Sequence, residues 1–431
     1  MRLKKEENNY WRRLDNSAKI FPISAGKRYS TVFRLSAVLE ENIDADKLKE
    51  ALDQTLDRYK SFKVKMKTGF FWYYFEYNNK ETKVEEEKDY PCTYIDPRKN
   101  NDYLFKVTYF KNKINIDIFH SLTDGNSGNV FFRELIYTYL ELMHPEILNE
   151  DERKIRKMEE YTTEDSYMKN YDKKAKSIAS SKKAYILKGK KIPLAARSVI
   201  HEIIDLEKLK EETKKNNATI TQYLTAVLIY SIYQENLLKL NSNSNKPIKV
   251  CIPVNLKKYF PSKTMSNFFS YITVEANVKK DNLNTFEKIL DFVKSDFTEK
   301  LSEEEIMKTM SANVRLGTNL IVKTIPLILK KPIVRLSYIE IRKYTTITYS
   351  NIGRIGILGK YKKYIKYFLM LIAPEPVEKI KCSSCTFENK MVFTFTSILK
   401  DNSIEKRFYN FLQEKGINVE IESNGVLDDI S

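Results

Sequence analysis

The segment Ile114-Asn115-Ile116-Asp117-Ile118-Phe119-His120 constrains this chain more than any other, because its apolar residues alternate with others and the alternation ends at a histidine. Successive side chains of a strand point to opposite faces, so Ile114, Ile116, Ile118 and His120 share one face and the imidazole emerges on the apolar side. Residues Leu104 to Phe110, joined by a polar turn at Lys111-Asn112-Lys113, supply the partner strand of a hairpin. Asp124 and Gly125 follow His120, and the spacing of Phe131, Phe132, Leu135, Tyr139 and Leu140 predicts a helix from Asn126 or Ser127 to about Met143. A histidine is thus expected at a strand-to-helix junction. The acidic group and flexible residue beside it stand where a helix N-terminus begins.

Around this unit the chain reads as mixed α/β in both halves. Strand Thr31 to Leu39 leads to a helix capped by Asp44, with Leu48, Ala51, Leu52 and Leu56 at helical spacing. Phe62 to Met66 and Phe70 to Phe75 form a second hairpin, and Glu85-Glu86-Glu87 is expected to be a solvated loop. From Glu159 to about Arg197 the sequence turns polar and basic, as in Lys173-Lys174-Ala175-Lys176, and this predicts a crossover between domains. Strand Ser198 to Ile204 follows, then a helix from about Leu206 and an apolar helix from Tyr223 to Tyr233 opened by Thr219 or Thr221. After the loop Asn241-Ser242-Asn243-Ser244-Asn245, strands are expected at Lys249 to Pro253, Phe269 to Ala276 and Thr345 to Ser350, with a last hairpin around Asn389-Lys390. A length of 431 residues exceeds the ~250–300 residues at which single cores stop growing. The expected division is 1–175, a basic linker 176–197, and 198–431.

Composition removes several function classes. The net charge of +17 is spread along the chain, with no nucleic-acid-binding motif beside it, so a Lys-rich surface that favours anionic cosubstrates is the preferred reading and no nucleic-acid partner is expected. The competing class is a noncatalytic protein that binds nucleic acid or an anionic membrane, motivated by that charge and by 28 tyrosines able to stack on bases. The start, Met1-Arg2-Leu3-Lys4-Lys5-Glu6-Glu7, is charged, and no run approaches the ~18 apolar residues of a spanning helix. A cytoplasmic location is expected, with peripheral membrane contact left open. Four cysteines in so long a chain are no disulfide framework, and Cys382-Ser383-Ser384-Cys385 lacks the second ligand pair a zinc site needs, so no metal is expected. Residues Ile321 to Val334, apolar but carrying Lys323, Lys330, Lys331, Pro326 and Pro332, read as a kinked core helix. No Gly-rich phosphate loop appears.

His120-Ser121-Leu122-Thr123-Asp124-Gly125 resembles the HxxxDG motif of the chloramphenicol-acetyltransferase-like superfamily, which includes alcohol acetyltransferases, wax ester synthases, plant acyltransferases and condensation domains of peptide synthetases. Two further segments resemble family motifs in the same order: Ile252-Pro253-Val254-Asn255-Leu256-Lys257, with Met265-Ser266-Asn267-Phe268 after it, and Ser350-Asn351-Ile352-Gly353. The opening Trp11-Arg12-Arg13-Leu14-Asp15-Asn16 is similar to the start of bacterial alcohol acetyltransferase-type proteins. The resemblance implies two related α/β subdomains forming a V around a central tunnel, with His120 open to an acyl donor on one side and an acceptor on the other. It implies acetyl-CoA or another acyl-CoA as cosubstrate, a small alcohol or amine as acceptor, and no bound cofactor.

The chemistry of the residues agrees with that implication. A neutral alcohol is a poor nucleophile, and a base with a pKa near 6.5 can take its proton as the oxygen attacks a thioester. His120 can fill this role and return the proton to the leaving thiolate, with no Ser or Cys nucleophile. Asp124 completes the catalytic motif with Gly125, either as a partner that polarises His120 or as an anchor at the strand end. In the superfamily the aspartate usually points away and pairs with a basic residue, so the anchor is preferred, and Gly125 allows close backbone approach. Ser350, Asn351 and Asn255 are the candidate oxyanion donors, each also suited to turns. Phe119 replaces the first histidine of HHxxxDG, and Lys257 stands where relatives carry arginine. Alternatives within the enzyme class are an N-acyltransferase or a condensation-type enzyme using a carrier-protein thioester.

Overall fold

The computed structural model describes residues 10–158, 160–175, 182–238 and 244–427. The charged start, Glu159, Lys176 of the basic crossover and Asn241 to Asn243 of the expected loop lie outside these residues.

The first half runs β1 (Trp11–Arg13), α1 (Phe21–Ser24), β2 (Val32–Leu39), α2 (Ala45–Arg58), β3 (Val64–Thr68), β4 (Tyr73–Tyr77), β5 (Val84–Glu86), β6 (Phe105–Phe110), β7 (Lys113–Phe119) and α3 (Gly125–Met143). Asp44 caps α2 by accepting from the backbone N–H groups of Asp46 and Lys47, and the helix buries Leu48, Ala51, Leu52 and Leu56. The β6–β7 hairpin has the expected antiparallel register, with Phe105 opposite Ile118, and Ile114, Ile116 and Ile118 are fully buried. The other face of β7 is buried too. There Asp117 takes two hydrogen bonds from Arg34, which also pairs with Glu87. Glu85 and Glu86 therefore belong to a strand, and Glu87 is no part of a solvated loop. Burial raises the Glu87 carboxyl, but Arg34 and Lys113 outweigh it and hold the group below its ordinary value.

The second half runs β8 (Ser198–Asp205), α4 (Ile220–Ile232), β9 (Ile248–Asn255), β10 (Phe269–Ala276), α5 (Phe286–Lys300), α6 (Leu327–Arg342), β11 (Ile347–Arg354), β12 (Ile365–Ile372), β13 (Ile380–Phe387), β14 (Lys390–Ser397), α7 (Ser403–Glu414) and β15 (Val419–Ser423), with further helices that include Leu206–Lys215 and Glu303–Thr318. A capping box at Thr219 and Gln222 opens α4, which is buried almost throughout. Its sheet has the order β10-β9-β11-β13-β14-β8-β15.

The sheet of the first half has the order β12-β2-β7-β6-β5. Strand β12 thus leaves its own half and pairs antiparallel with β2, Leu369 opposite Ser36. One strand from beyond residue 198 completes the N-terminal sheet. The reason is legible in the burial of β12, whose Tyr367 to Leu371 are all covered. A strand covered on both faces finds its place between the two sheets, where Cys385 Sγ, Ser383 Oγ and Thr396 Oγ1 donate to its carbonyls.

Residues 321–334 also differ from expectation. They fall in Leu320–Thr324 and α6, with Pro326 at the helix start and Pro332 inside it, and α6 buries only Leu327, Lys330 and Tyr338. It is a surface helix, because apolar spacing alone does not say what covers the apolar side. No helix among the described residues is long and apolar enough to cross a membrane. Cys382 and Cys385 lie three residues apart on β13, so their side chains point to opposite faces and cannot converge on one ion.

Candidate active site

His120 stands one residue beyond β7, held by its backbone N–H, which donates to the Thr31 carbonyl at 2.9 Å. Three rings enclose the imidazole. Phe21 of α1 stacks on it at 4.7 Å between centroids, Phe33 of β2 meets it edge-on at 5.2 Å, and Phe269 of β10 lies 5.3 Å away. The site is therefore built where both halves of the chain touch. Burial lowers the imidazole below its ordinary value, and its own carbonyl, Asp124, Asn267 and Asp15 only partly offset this. At neutral pH the ring is uncharged.

Its tautomer follows from a relay of hydrogen bonds. His120 Nδ1 lies 3.0 Å from Asn267 Oδ1, and Asn267 Nδ2 lies 3.0 Å from Asp15 Oδ2. Asp15 also accepts from the Asn267 backbone N–H through Oδ2, and from Ser17 Oγ and the Ala18 backbone N–H through Oδ1. A carboxylate only accepts, so the amide must turn its NH₂ to Asp15 and its oxygen to the imidazole. Nδ1 then carries the proton, and Nε2 keeps a free lone pair. Asn267 is fully buried and Asp15 nearly so, which shields the relay from water.

The loop after His120 is fastened to the segment Thr264 to Phe268. Thr123 Oγ1 donates to the Met265 carbonyl at 2.7 Å, and Ser121 Oγ to Ala18 at 3.1 Å. Asp124 uses both oxygens on backbone: one accepts from Ser127 N–H as the cap of α3, the other from Phe268 N–H at 2.9 Å. Its geometry is that of an anchor between the halves, with both oxygens committed to backbone N–H groups. Lys257 supports the same junction by donating to Ser127 Oγ and the Thr264 carbonyl. Burial lowers its ammonium, with Asp124 acting in the opposite sense.

Gly125 opens α3 beside Ile352 of β11, and a Cβ there would meet Ile352 and Met370 at 3.4 and 3.5 Å, ordinary contact distances. The tight approach is one turn later. A Cβ on Gly128 would come within 3.1 Å of Ile118 and 3.2 Å of Phe33.

The candidate oxyanion donors are brought to this neighbourhood with different commitments. Asn255 pairs across β9–β10 with Phe269, and its Oδ1 accepts from Lys257 N–H. Asn351 donates to Thr221 Oγ1 and accepts from Gly353 N–H. Ser350 is nearly buried on β11, opposite Ser383 and two residues before Ile352, which lies against Gly125. Asn267, Asp15, Phe21 and Phe269 were not assigned roles from sequence. Asp15 and Asn267 both stood inside segments that carry the family resemblance, which was the available signal.

Residues 106–353, more than half of the chain, match the family model described as alcohol acetyltransferase. The chain belongs to the alcohol acetyltransferase family. It is an acyltransferase, and a noncatalytic binding role is thereby set aside. No curated protein matches its sequence. Solved structures similar to this alcohol acetyltransferase-family chain include trichothecene 15-O-acetyltransferase from Fusarium sporotrichioides, at a TM-score of 0.60, 10% identity and 94% coverage of both chains. Polyketide synthase associated protein 5 from Mycobacterium tuberculosis superposes at 0.57 with 13% identity, covering 93% of this chain and 96% of its own. The starter condensation domain of rhizomide synthetase, as a mutant in complex with C8-CoA, gives 0.58 at 10% identity and 96% coverage of both. At such identities the likeness is one of fold, and it supports two subdomains of the acetyltransferase and condensation type.

Proposed function

We propose that this acyltransferase moves an acyl group from acyl-CoA to an alcohol by direct attack, with His120 Nε2 as general base. The observation that carries the proposal is the Asp15–Asn267–His120 relay, which fixes the proton on Nδ1 of a neutral imidazole and leaves Nε2 free. In the reaction, the acceptor oxygen attacks the thioester carbonyl carbon while Nε2 takes the hydroxyl proton. The tetrahedral intermediate then collapses, the C–S bond breaks, and the imidazolium returns the proton to the departing thiolate. Holding both substrates together removes the need for an acyl-enzyme. Four of the similar structures are described as complexes with coenzyme A or C8-CoA, which supports that donor class.

Among the oxyanion candidates Ser350 and Asn255 are preferred over Asn351, because the Asn351 amide already donates to Thr221 Oγ1, whereas the Ser350 hydroxyl and the Asn255 NH₂ donate to no partner among the described residues. Asp124 and Gly125 act through position only. The same geometry would serve an amine acceptor or a carrier-protein thioester, and the condensation domains among similar structures keep this second reading open to test.

The test is thiol release from acetyl-CoA across a panel of alcohols and amines. His120→Ala is expected to lower turnover by about 10²–10⁴-fold, and Ser350→Ala by about 10²-fold. Wild-type turnover surviving in His120→Ala would overturn the mechanism, and turnover confined to amines or to carrier-bound donors would favour the second reading.

A further inference from the structure

Helix α6 turns its apolar side to solvent. Ile328, Pro332 and Leu336 follow one another at four-residue intervals, as do Leu329 and Ile333, so the five fall within an arc of roughly 140°. Ile328 is 78% exposed, Leu329 60%, Ile333 61% and Leu336 70%. The opposite side, with Leu327, Lys330 and Tyr338, is the buried one. The β3–β4 turn lengthens the patch. Phe70 accepts through its carbonyl from Leu327 N–H at 2.8 Å and Phe71 from Lys330 Nζ at 3.1 Å, while both rings remain in solvent. Scattered exposed leucines need no account, but a contiguous set of six large apolar side chains marks an interaction surface.

The rim of this patch is cationic. Lys331 and Arg335 border one side of the stripe on the helix, Lys323 precedes it, Glu340 near its C-terminal end is paired with Lys183 and Lys343, and Arg28 lies near Tyr29, whose ring meets Tyr338 edge-on at 5.9 Å. Among the described residues no carboxylate lies within ion-pair distance of Lys331, Arg335, Lys323 or Arg28. A 16-residue helix with exposed Ile, Leu and Phe beside unpaired Lys and Arg has the makeup of an element that lies in a membrane interface without crossing it.

We propose that α6 and the Phe70–Phe71 turn dock the protein on the surface of an anionic lipid bilayer. The apolar side chains enter the acyl boundary, and the rim meets lipid phosphates. Charge complementarity decides for lipid against a second copy of the chain, since pairing two such faces would bring like-charged rims together on molecules of net charge +17. Helix α6 also packs on α1, the helix whose Phe21 covers His120, so docking turns that side of the active site toward the bilayer.

The experiment is co-sedimentation of the full chain with vesicles of phosphatidylcholine alone or mixed 3:1 with phosphatidylglycerol (a composition of about 25% anionic lipid), at low and high salt. Binding to the anionic vesicles is expected to exceed that to neutral ones by about 10-fold or more and to fall with salt. The double variant Ile333→Glu/Leu336→Glu and the rim variant Lys331→Glu/Arg335→Glu are each expected to lose it. These side chains are at the surface, so both variants should keep the wild-type melting temperature and turnover of soluble substrates. The proposal is overturned by absence of binding to anionic vesicles at low salt, by equal binding of the Ile333→Glu/Leu336→Glu variant, or by a wild-type dimer in light scattering that the same substitutions abolish. Lipid binding is read without turnover, so its failure leaves the acyl-transfer reading untouched.

Discussion

At the residue scale the proposed chemistry rests on which imidazole nitrogen holds the proton. Asn267 and Asp15 decide this from positions 147 and 105 residues away from His120 along the chain, so no local spacing could announce them. His120 and Asp124 were legible because one strand and one helix carry them together. The relay was not, because it exists only once the two halves meet. Asn267→Ala should reduce kcat by about 10–10²-fold with little change in KM, since the ring loses its preferred tautomer while the pocket stays. Asn267 and Asp15 both raise the imidazole pKa against burial, so the acid limb of kcat/KM, already below pH 6.5 in the wild type, should move lower still in Asn267→Ala. A kcat/KM profile checks both statements, and an unshifted limb would refute the relay. Glycine offers a second test at this scale. Gly128→Ala should destabilise the protein by about 1–3 kcal/mol by pressing on Ile118 and Phe33. Gly125→Ala, with ordinary contacts only, should change the melting temperature far less, and the pair of melting curves decides.

At the element scale β8 shows how a strand with two unlike faces titrates. His201 looks toward Lys113 and Arg34 of the first sheet, and burial, reinforced by those charges, pushes it down to about 3. Glu202 looks the other way, toward Glu405 of α7, and burial pushes both carboxyls up, Glu405 to about 8. The unfolded chain protonates His201 near its ordinary value of about 6.5, so the stability tied to its neutral form is lost as pH falls below that value. Glu405 acts in the opposite sense: the unfolded carboxyl ionises near about 4.5, so stability is lost as pH rises from there through about 8. His201→Gln should therefore raise the melting temperature more at pH 5 than at pH 8, and Glu405→Gln more at pH 8 than at pH 5. Gains independent of pH would refute both assignments. Elements differ in legibility for a similar reason. The alternation of β7 and the capped start of α2 are local signals, and they gave the right element types. The placement of β12 and the exposure of the apolar side of α6 depend on what lies against them, which apolar spacing does not encode.

At the scale of the molecule the halves are interlocked, and this bears on how the protein unfolds. Strand β12 from the second half pairs along β2, and its removal would open one edge of the first sheet and uncover apolar residues from Val32 to Leu39. The HxxxDG loop is likewise fastened across the junction through Thr123, Asp124 and Lys257, so that neither half satisfies its own buried polar groups alone. Residues 10–197 expressed alone should therefore fail to give a cooperative melting transition, although they contain His120 and every strand of the first sheet except β12. The full chain should melt in a single transition, because unfolding the second half withdraws β12 from the first. Co-expression of 10–197 with 198–431 should restore both solubility and turnover, since the missing strand then returns in trans. Two separate transitions in calorimetry of the full chain, or a stable isolated 10–197, would show that β12 contributes little to the first sheet, and the active site would then have to be regarded as the meeting of two independent domains.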